Sequence, residues 1–160
     1  MFRETIQACS DALRSQWERP LAERPLAERP LAELLASGEP EALGGDRRLE
    51  DAVTFSVSLA LARQWQQWGI SPGWVCGLGT GEYVAAVVSG MWSWHDALQL
   101  LLARAALLDE TDCREDRQRW EQQLRQVKLS APAVTMFRSL DGVAVAGADV
   151  LPADYWLQQL

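Results

Sequence analysis

Trp74-Val75-Cys76-Gly77-Leu78-Gly79-Thr80-Gly81-Glu82-Tyr83-Val84-Ala85-Ala86 is the stretch on which the fold turns. Its apolar run 74–78, bounded by turn residues, predicts a short buried strand. Gly79-Thr80-Gly81 predicts a tight turn, and the small residues from Glu82 to Val88, closed by Gly90, predict a helix. Upstream, Leu49, Val53, Val57, Leu61, Trp65 and Trp68 recur every three or four residues. That spacing predicts a helix over 47–68 buried along this face, with Gly69 as its C-cap. Downstream, Ser93 with Asp96 three residues on predicts a helix start, continued by Ala97–Leu108. A further helix, polar on most faces, is expected from Asp112 to Val127. Strands are expected at 134–137 and 143–145, and a last helix over 154–160. The chain opens on a helix from Phe2 to Trp17 with Ile6, Leu13 and Trp17 near helical spacing. Strands alternating with helices imply an α/β architecture with a short, mainly parallel sheet.

One segment interrupts the pattern. Glu-Arg-Pro-Leu-Ala occurs three times in tandem over residues 18–32. Proline at 20, 25 and 30 removes a backbone donor every fifth residue, so no continuous helix can pass. The repeat reads either as a semi-rigid proline-rich spacer or as a duplicated loop without a role, and the second reading is preferred. With the Gly/Glu/Pro-rich stretch that follows, residues 18–46 form a loop or linker inside a single domain of 1–160.

The whole-chain properties exclude several classes. The chain has 160 residues, 48% of them hydrophobic and 23% charged, and a net charge of −7. That length suits one core rather than two. An acidic chain without a lysine or arginine run repels a phosphate backbone and an anionic membrane surface, so no nucleic-acid or membrane partner is expected. Cys9, Cys76 and Cys113 are widely spread and His95 is the single histidine. No metal site is expected from such spacing, and three reduced thiols are. No signal peptide or membrane-length apolar run is recognisable, which gives a cytoplasmic location by default.

Two readings compete for Gly77–Glu82. A dinucleotide fingerprint also follows a strand and opens a helix, but it needs GxGxxG and the glycines here fall as GxGxG. No acidic ribose-binding residue ends a strand about 20 residues later, either. A nucleophile elbow, G-x-S-x-G, exposes a serine on a strained strand-to-helix turn, and its spacing matches Gly77, Leu78, position 79, Thr80 and Gly81. Position 79 is glycine.

Gly77–Glu82 followed by Tyr83-Val84-Ala85-Ala86 resembles the GHSxGEYxAA segment of the acyltransferase domains of modular polyketide synthases. The resemblance continues on both sides. Phe2-Arg3-Glu4-Thr5-Ile6 is similar to the helix after that family's first strand. Leu59–Trp65 with Trp68-Gly69-Ile70 resembles the helix leading into its elbow strand. Asp96-Ala97-Leu98 and Ala103–Leu108 resemble the helix carrying its acyl-carboxylate arginine. Ala131–Gly142 and Asp154-Tyr155-Trp156 resemble its last strand and exit helix. The implied fold is a reduced three-layer α/β hydrolase-like core.

The departures carry the functional expectation. The family's nucleophilic serine corresponds to Gly79, and the histidine before it to Leu78. Its general-base histidine has no counterpart, since His95 sits in the first turn of a helix. Its GQG motif, part of the oxyanion hole, is not found. Asp109–Arg114 joins two segments that a ferredoxin-like subdomain separates in the family, so that subdomain is read as deleted. Covalent acyl transfer needs a nucleophile, a base within reach and donors for the oxyanion. The resemblance therefore implies a pseudoenzyme with a degenerate elbow at Gly77, Leu78, Gly79, Thr80, Gly81 and Glu82, no catalytic residue and no cofactor.

Arg104 corresponds to the arginine that would pair with a malonyl-type carboxylate, or is an ordinary helix residue paired with an acid such as Glu82 or Asp109. The second reading carries more weight without the opposite pocket wall. Glu82 reads as a helix-start carboxylate facing the helix dipole. Trp65 and Trp68 are expected in the core, and Trp92, Trp94 and Trp120 at an interface. The implied role is structural or docking in a polyketide, antibiotic-type assembly line. Its partners would be ketosynthase-side surfaces, a trans-acting acyltransferase or a carrier protein. The alternative is an acyl-thioester-handling enzyme or binding module using Arg104 with His95 or Cys76.

Overall fold

The computed structural model describes residues 1–16, 30–38, 46–109 and 114–158. The chain forms two compact units, Met1–Ile70 and Ser71–Leu160. The ERPLA repeat up to residue 29, Trp17, Cys113 and the junction 110–113 lie outside the described residues.

The first unit is helical. It contains α1 (Phe2–Gln16), α2 (Leu31–Ser37) and α3 (Arg47–Gln67). α1 buries Thr5, Ile6, Cys9, Ser10 and Leu13, a stripe at helical spacing. It packs against both α2 and α3. α2 begins directly after Pro30, whose fixed φ of −58° suits the residue that precedes a first turn. The Leu31 amide donates to Ser10 Oγ at 3.2 Å, and Phe2 N–H donates to Gln64 Oε1 at 3.1 Å. Asp46 caps α3 by accepting from the Arg48 and Leu49 amides. Gly69, at φ 81°, ends that helix as expected and donates to Gln66 O at 2.9 Å.

The buried face of α3 differs from the expected one. Leu49, Ala52, Phe55, Ser56, Leu59 and Ala60 face inward. Val53 and Val57 are half-buried, and Leu61, Trp65 and Trp68 are exposed, so the two tryptophans are not core residues. The helix is apolar on two sides. Ala52, Ser56 and Ala60 recur every four residues, and these small side chains suit the flank that a neighbouring helix approaches closely.

The second unit is α/β. Its elements are β1 (Trp74–Cys76), α4 (Thr80–Val88), α5 (Trp94–Asp109), α6 (Arg114–Gln126), β2 (Thr135–Phe137), β3 (Ala144–Val145) and α7 (Ala153–Leu157). The sheet order is β1-β2-β3. β1 and β2 are parallel, with Val75 opposite Met136, whereas β2 and β3 are antiparallel, with Met136 opposite Val145. Met136 and Val145 are buried on the inner face, while Trp74, Cys76 and Ala144 stand exposed on the outer one. Expected as a buried strand over 74–78, β1 is instead three residues long, with Val75 half-buried and its other two residues in solvent.

α4 is buried from Glu82 to Ala86 and packs on β1 and α5; α5 in turn packs on α6, and α6 on α7. Ser93 caps α5 as expected: its Oγ accepts from the Asp96 amide at 3.1 Å and donates to Asp96 Oδ2 at 2.6 Å. Trp92 and Trp120, expected at an interface, are core residues. Trp92 stacks on Trp156 at 4.1 Å beside Tyr83, and Trp120 donates its indole N–H to the Leu100 carbonyl at 3.1 Å. The outwardly polar look of α6 hid the two positions, Trp120 and Leu124, that anchor it. Trp94 is half-buried, its ring against that of His95.

Candidate functional site

The site is the turn between β1 and α4. The strand ends at Cys76 and the helix begins at Thr80, so three residues reverse the chain. Gly77 makes that possible. A Cβ placed there would lie 2.1 Å from the Gly81 carbonyl oxygen and 2.5 Å from the Glu82 nitrogen. No side chain can occupy such a space, because the strand end and the helix start are in backbone contact. Two short bonds close the turn: Gly81 N–H to Leu78 O at 3.0 Å and Glu82 N–H to Gly79 O at 3.1 Å.

Gly79, the helix N-cap of α4, has φ 56° and ψ −125°. Any residue with a side chain is strained there by about 1–3 kcal/mol, a cost that reactive turns bear for the sake of presentation. Glycine adopts the conformation freely. A Cβ at Gly79 would meet nothing within 4 Å. The preceding Leu78 projects outward, 82% exposed. Thr80 and Gly81 are half-buried in the first turn of α4. The turn is thus a tight strand-to-helix reversal with a positive φ at Gly79 and open space where a side chain there would project.

Glu82 does more than face a helix dipole. It is fully buried, and its carboxylate gathers three chain segments. The Ser139 amide donates to Oε1 at 3.0 Å, the Ser139 hydroxyl donates to Oε2, and the Tyr155 hydroxyl donates to Oε1. The Ser139 amide also lies 3.0 Å from the Tyr155 oxygen, which accepts from it. Burial, and then the bond to Glu82, holds the Tyr155 phenol above its ordinary range. The elbow helix, the turn after β2 and α7 are thereby tied to one carboxylate. Beyond Ser139 the turn is held by the Arg138–Asp141 ion pair, and Val143 N–H donates to Asp141 Oδ1 at 3.0 Å. Charge-assisted bonds to a buried carboxylate are among the stronger hydrogen bonds a protein makes. Sequence spacing could not bring Glu82, Ser139 and Tyr155 together, although each falls within a segment that carries the family resemblance.

The other candidate residues remain dispersed. Arg104 is half-buried on the third turn of α5, and His95 is exposed on its first. Cys76 is exposed at the end of β1. The buried Cys9 thiol, pushed up by burial, belongs to the first unit. Among the described residues no group of three or more His, Cys, Asp or Glu side chains could hold a metal ion. Among the same residues no helix is long and apolar enough to cross a membrane.

No family model matches the chain. Among curated proteins it is similar to the PKS-NRPS hybrid synthetase ATPKS of Aspergillus niger, 34% identical over 110 residues. That match covers 68% of this chain and 5% of the synthetase. The non-reducing polyketide synthase men2 of Menisporopsis theobromae is 35% identical over 109 residues, 68% of this chain and 4% of that protein. The chain therefore spans only a small fraction of the curated relatives it matches. Among solved structures, the acyl carrier protein S-malonyltransferase of Vibrio cholerae superposes with a TM-score of 0.76 at 15% identity, over 99% of this chain and 73% of that one. The acyltransferase domain of ZmaA gives a TM-score of 0.78 at 16% identity, over 99% and 52%. At those identities the structures establish a shared fold, and the synthases supply the kinship in sequence. The chain is an acyltransferase-like region related to polyketide synthases.

Proposed function

We propose that this chain is a non-catalytic acyltransferase-like element, a pseudoenzyme with a structural or docking role beside polyketide synthase domains. The observation that carries the reading is Gly79. The nucleophile position has the backbone of an elbow, at φ 56° and ψ −125°, and no atom that could attack a thioester. Covalent transfer also needs a base within hydrogen-bond reach of the nucleophile. His95, exposed on the first turn of α5, does not supply one in this reading. Retention of the Gly77 contact and the Glu82 tie supports a role in which the frame matters and the chemistry does not.

Intact-mass spectrometry of folded protein after incubation with malonyl-, methylmalonyl- and acetyl-CoA tests the first half. The expected result is an unchanged mass. An added acyl group would refute the non-catalytic reading and name another nucleophile. Capture of ketosynthase, acyltransferase or carrier-protein domains on the immobilised chain tests the second half. Absence of capture at micromolar domain concentrations would remove the docking role.

A further inference from the structure

We infer that the cleft between the N-terminal end of α5 and the C-terminal end of α6 is a binding site for one alkylguanidinium group. The inference goes beyond the docking reading above and does not depend on it. The cleft lies within the second unit, holds about 170 Å³ and is lined by Asp96, Gln99, Leu100, Gln123, Gln126 and Val127. The spacing explains this lining. Asp96, Gln99 and Leu100 stand at i, i+3 and i+4 along α5, and Gln123, Gln126 and Val127 repeat that spacing at the end of α6. Residues so spaced share one face of a helix, so each side brings two polar tips and one aliphatic side chain.

Packing fixes the floor. Leu100 is buried, and its carbonyl accepts the indole N–H of the buried Trp120 at 3.1 Å, which holds α6 against α5. The walls carry acceptor oxygens. Asp96 Oδ2 accepts from Ser93 Oγ, which leaves Oδ1, and among the described residues Asp96 joins no ion pair. Among the same residues the carboxamides of Gln99, Gln123 and Gln126 form no hydrogen bond within the chain. The lining contains no lysine, arginine or histidine, and the neighbouring Arg125 is turned to Asp154, 3.7 Å away. α6 ends at Gln126, and the last carbonyls of a helix carry partial negative charge.

Size and chemistry then select the ligand. The cleft is smaller than the roughly 300–1,000 Å³ of sites for cofactors and drug-sized molecules, so it takes a group the size of a side chain. An anionic group would meet Asp96 and no cation. A guanidinium presents several N–H donors in one plane, suited to carboxylate and carboxamide oxygens together. It is also less strongly hydrated than an ammonium, and its methylene stem is matched by Leu100 and Val127. Two sources carry this group: an arginine of a neighbouring polypeptide and a small alkylguanidine.

The test titrates the full chain, labelled with nitrogen-15, with n-butylguanidinium chloride at constant ionic strength. The side-chain amide signals of Gln99, Gln123 and Gln126 should move together and saturate, with a dissociation constant on the order of 1–10 mM for so small a ligand. Butanol, which lacks the charged head, should leave them in place. Asp96→Asn keeps an acceptor for Ser93 and removes the charge, so affinity should fall by about tenfold. Gln123→Arg, at an exposed helical position that arginine suits, should abolish binding by tethering the same group beside the cleft. No shift at about 100 mM probe, well above that range, would overturn the inference. So would equal affinity in Asp96→Asn, equal shifts with butanol, or shifts spread evenly over exposed acids such as Glu50 and Asp149. Release of a captured synthase domain by the probe would place the group on a partner's arginine, and probe binding without such release on a small alkylguanidine; both keep the site. Probe failure alongside capture of synthase domains removes this inference alone; probe binding without capture removes the docking role instead.

Discussion

The root and the tip of the elbow obey different constraints. At the root, Gly77 touches the Gly81 backbone so closely that a methyl group has no place, and Glu82 is bonded to two distant segments. At the tip, a Cβ on Gly79 meets nothing, and Leu78 stands almost wholly in solvent. The root is held by packing and by buried hydrogen bonds, which penalise nearly every substitution. The tip is held by neither. The tip can therefore change at the cost of backbone strain alone, whereas the root cannot change without moving backbone.

Substitutions at the root should therefore dominate. Gly77→Ala forces strand and helix apart and should lower the stability of the second unit by about 4 kcal/mol, beyond ordinary overpacking because backbone must move. Urea denaturation followed by tryptophan fluorescence measures it, and a loss under about 1 kcal/mol would break the contrast. Glu82→Ala should follow closely. It strands the Ser139 and Tyr155 hydroxyls without their acceptor and leaves the Ser139 amide only the Tyr155 oxygen, at a cost of about 3 kcal/mol.

Tyr155→Phe removes one arm of the tie and should cost about 1.5 kcal/mol near neutrality. Its pH dependence sharpens the assignment. The folded phenol is held above its ordinary value of 10.0, so its contribution is fully present below that pH. As pH rises past 10.0 the unfolded chain ionises first, and the wild type loses stability until the folded phenol also titrates. The gap to Tyr155→Phe should accordingly narrow in alkaline solution; a constant gap would deny the buried bond. The smallest effect belongs to the tip. Gly79→Ser should cost about 1 kcal/mol, backbone strain alone, since there is room for the side chain. A cost equal to that of Gly77→Ala would erase the distinction between root and tip.

Much of this was legible in the amino-acid pattern because local rules decide it. The β1–turn–α4 unit follows from a short apolar run, glycines at fixed offsets and small helical residues. The Ser93 cap and the Gly69 stop are equally local. What stayed hidden depends on partners distant in sequence. α3 carries two apolar stripes, and periodicity alone cannot say which one meets α1. The eye is drawn to the larger side chains, Leu61, Trp65 and Trp68, whereas the inward stripe runs through Ala52, Ser56 and Ala60. Trp120 sits among polar neighbours in sequence and Trp92 in a loop between helices, yet the core claims both. Glu82 is 57 residues from Ser139 and 73 from Tyr155, so its threefold bonding is a property of the fold.

The tryptophan pairs give each half of the molecule its own optical signature. Trp92 and Trp156 lie nearly stacked inside the second unit, 35° apart in plane, close enough for their electronic transitions to couple. Trp65 and Trp68 in the first unit meet edge to face at 89° and stand in solvent. Exciton-type circular dichroism should thus follow the packing of the α/β half. Quenching of emission by dissolved acrylamide should instead follow the solvent-facing indoles, Trp65 and Trp68 in the helical half and Trp74 in the α/β half, so the two readouts on one sample report different sets of side chains.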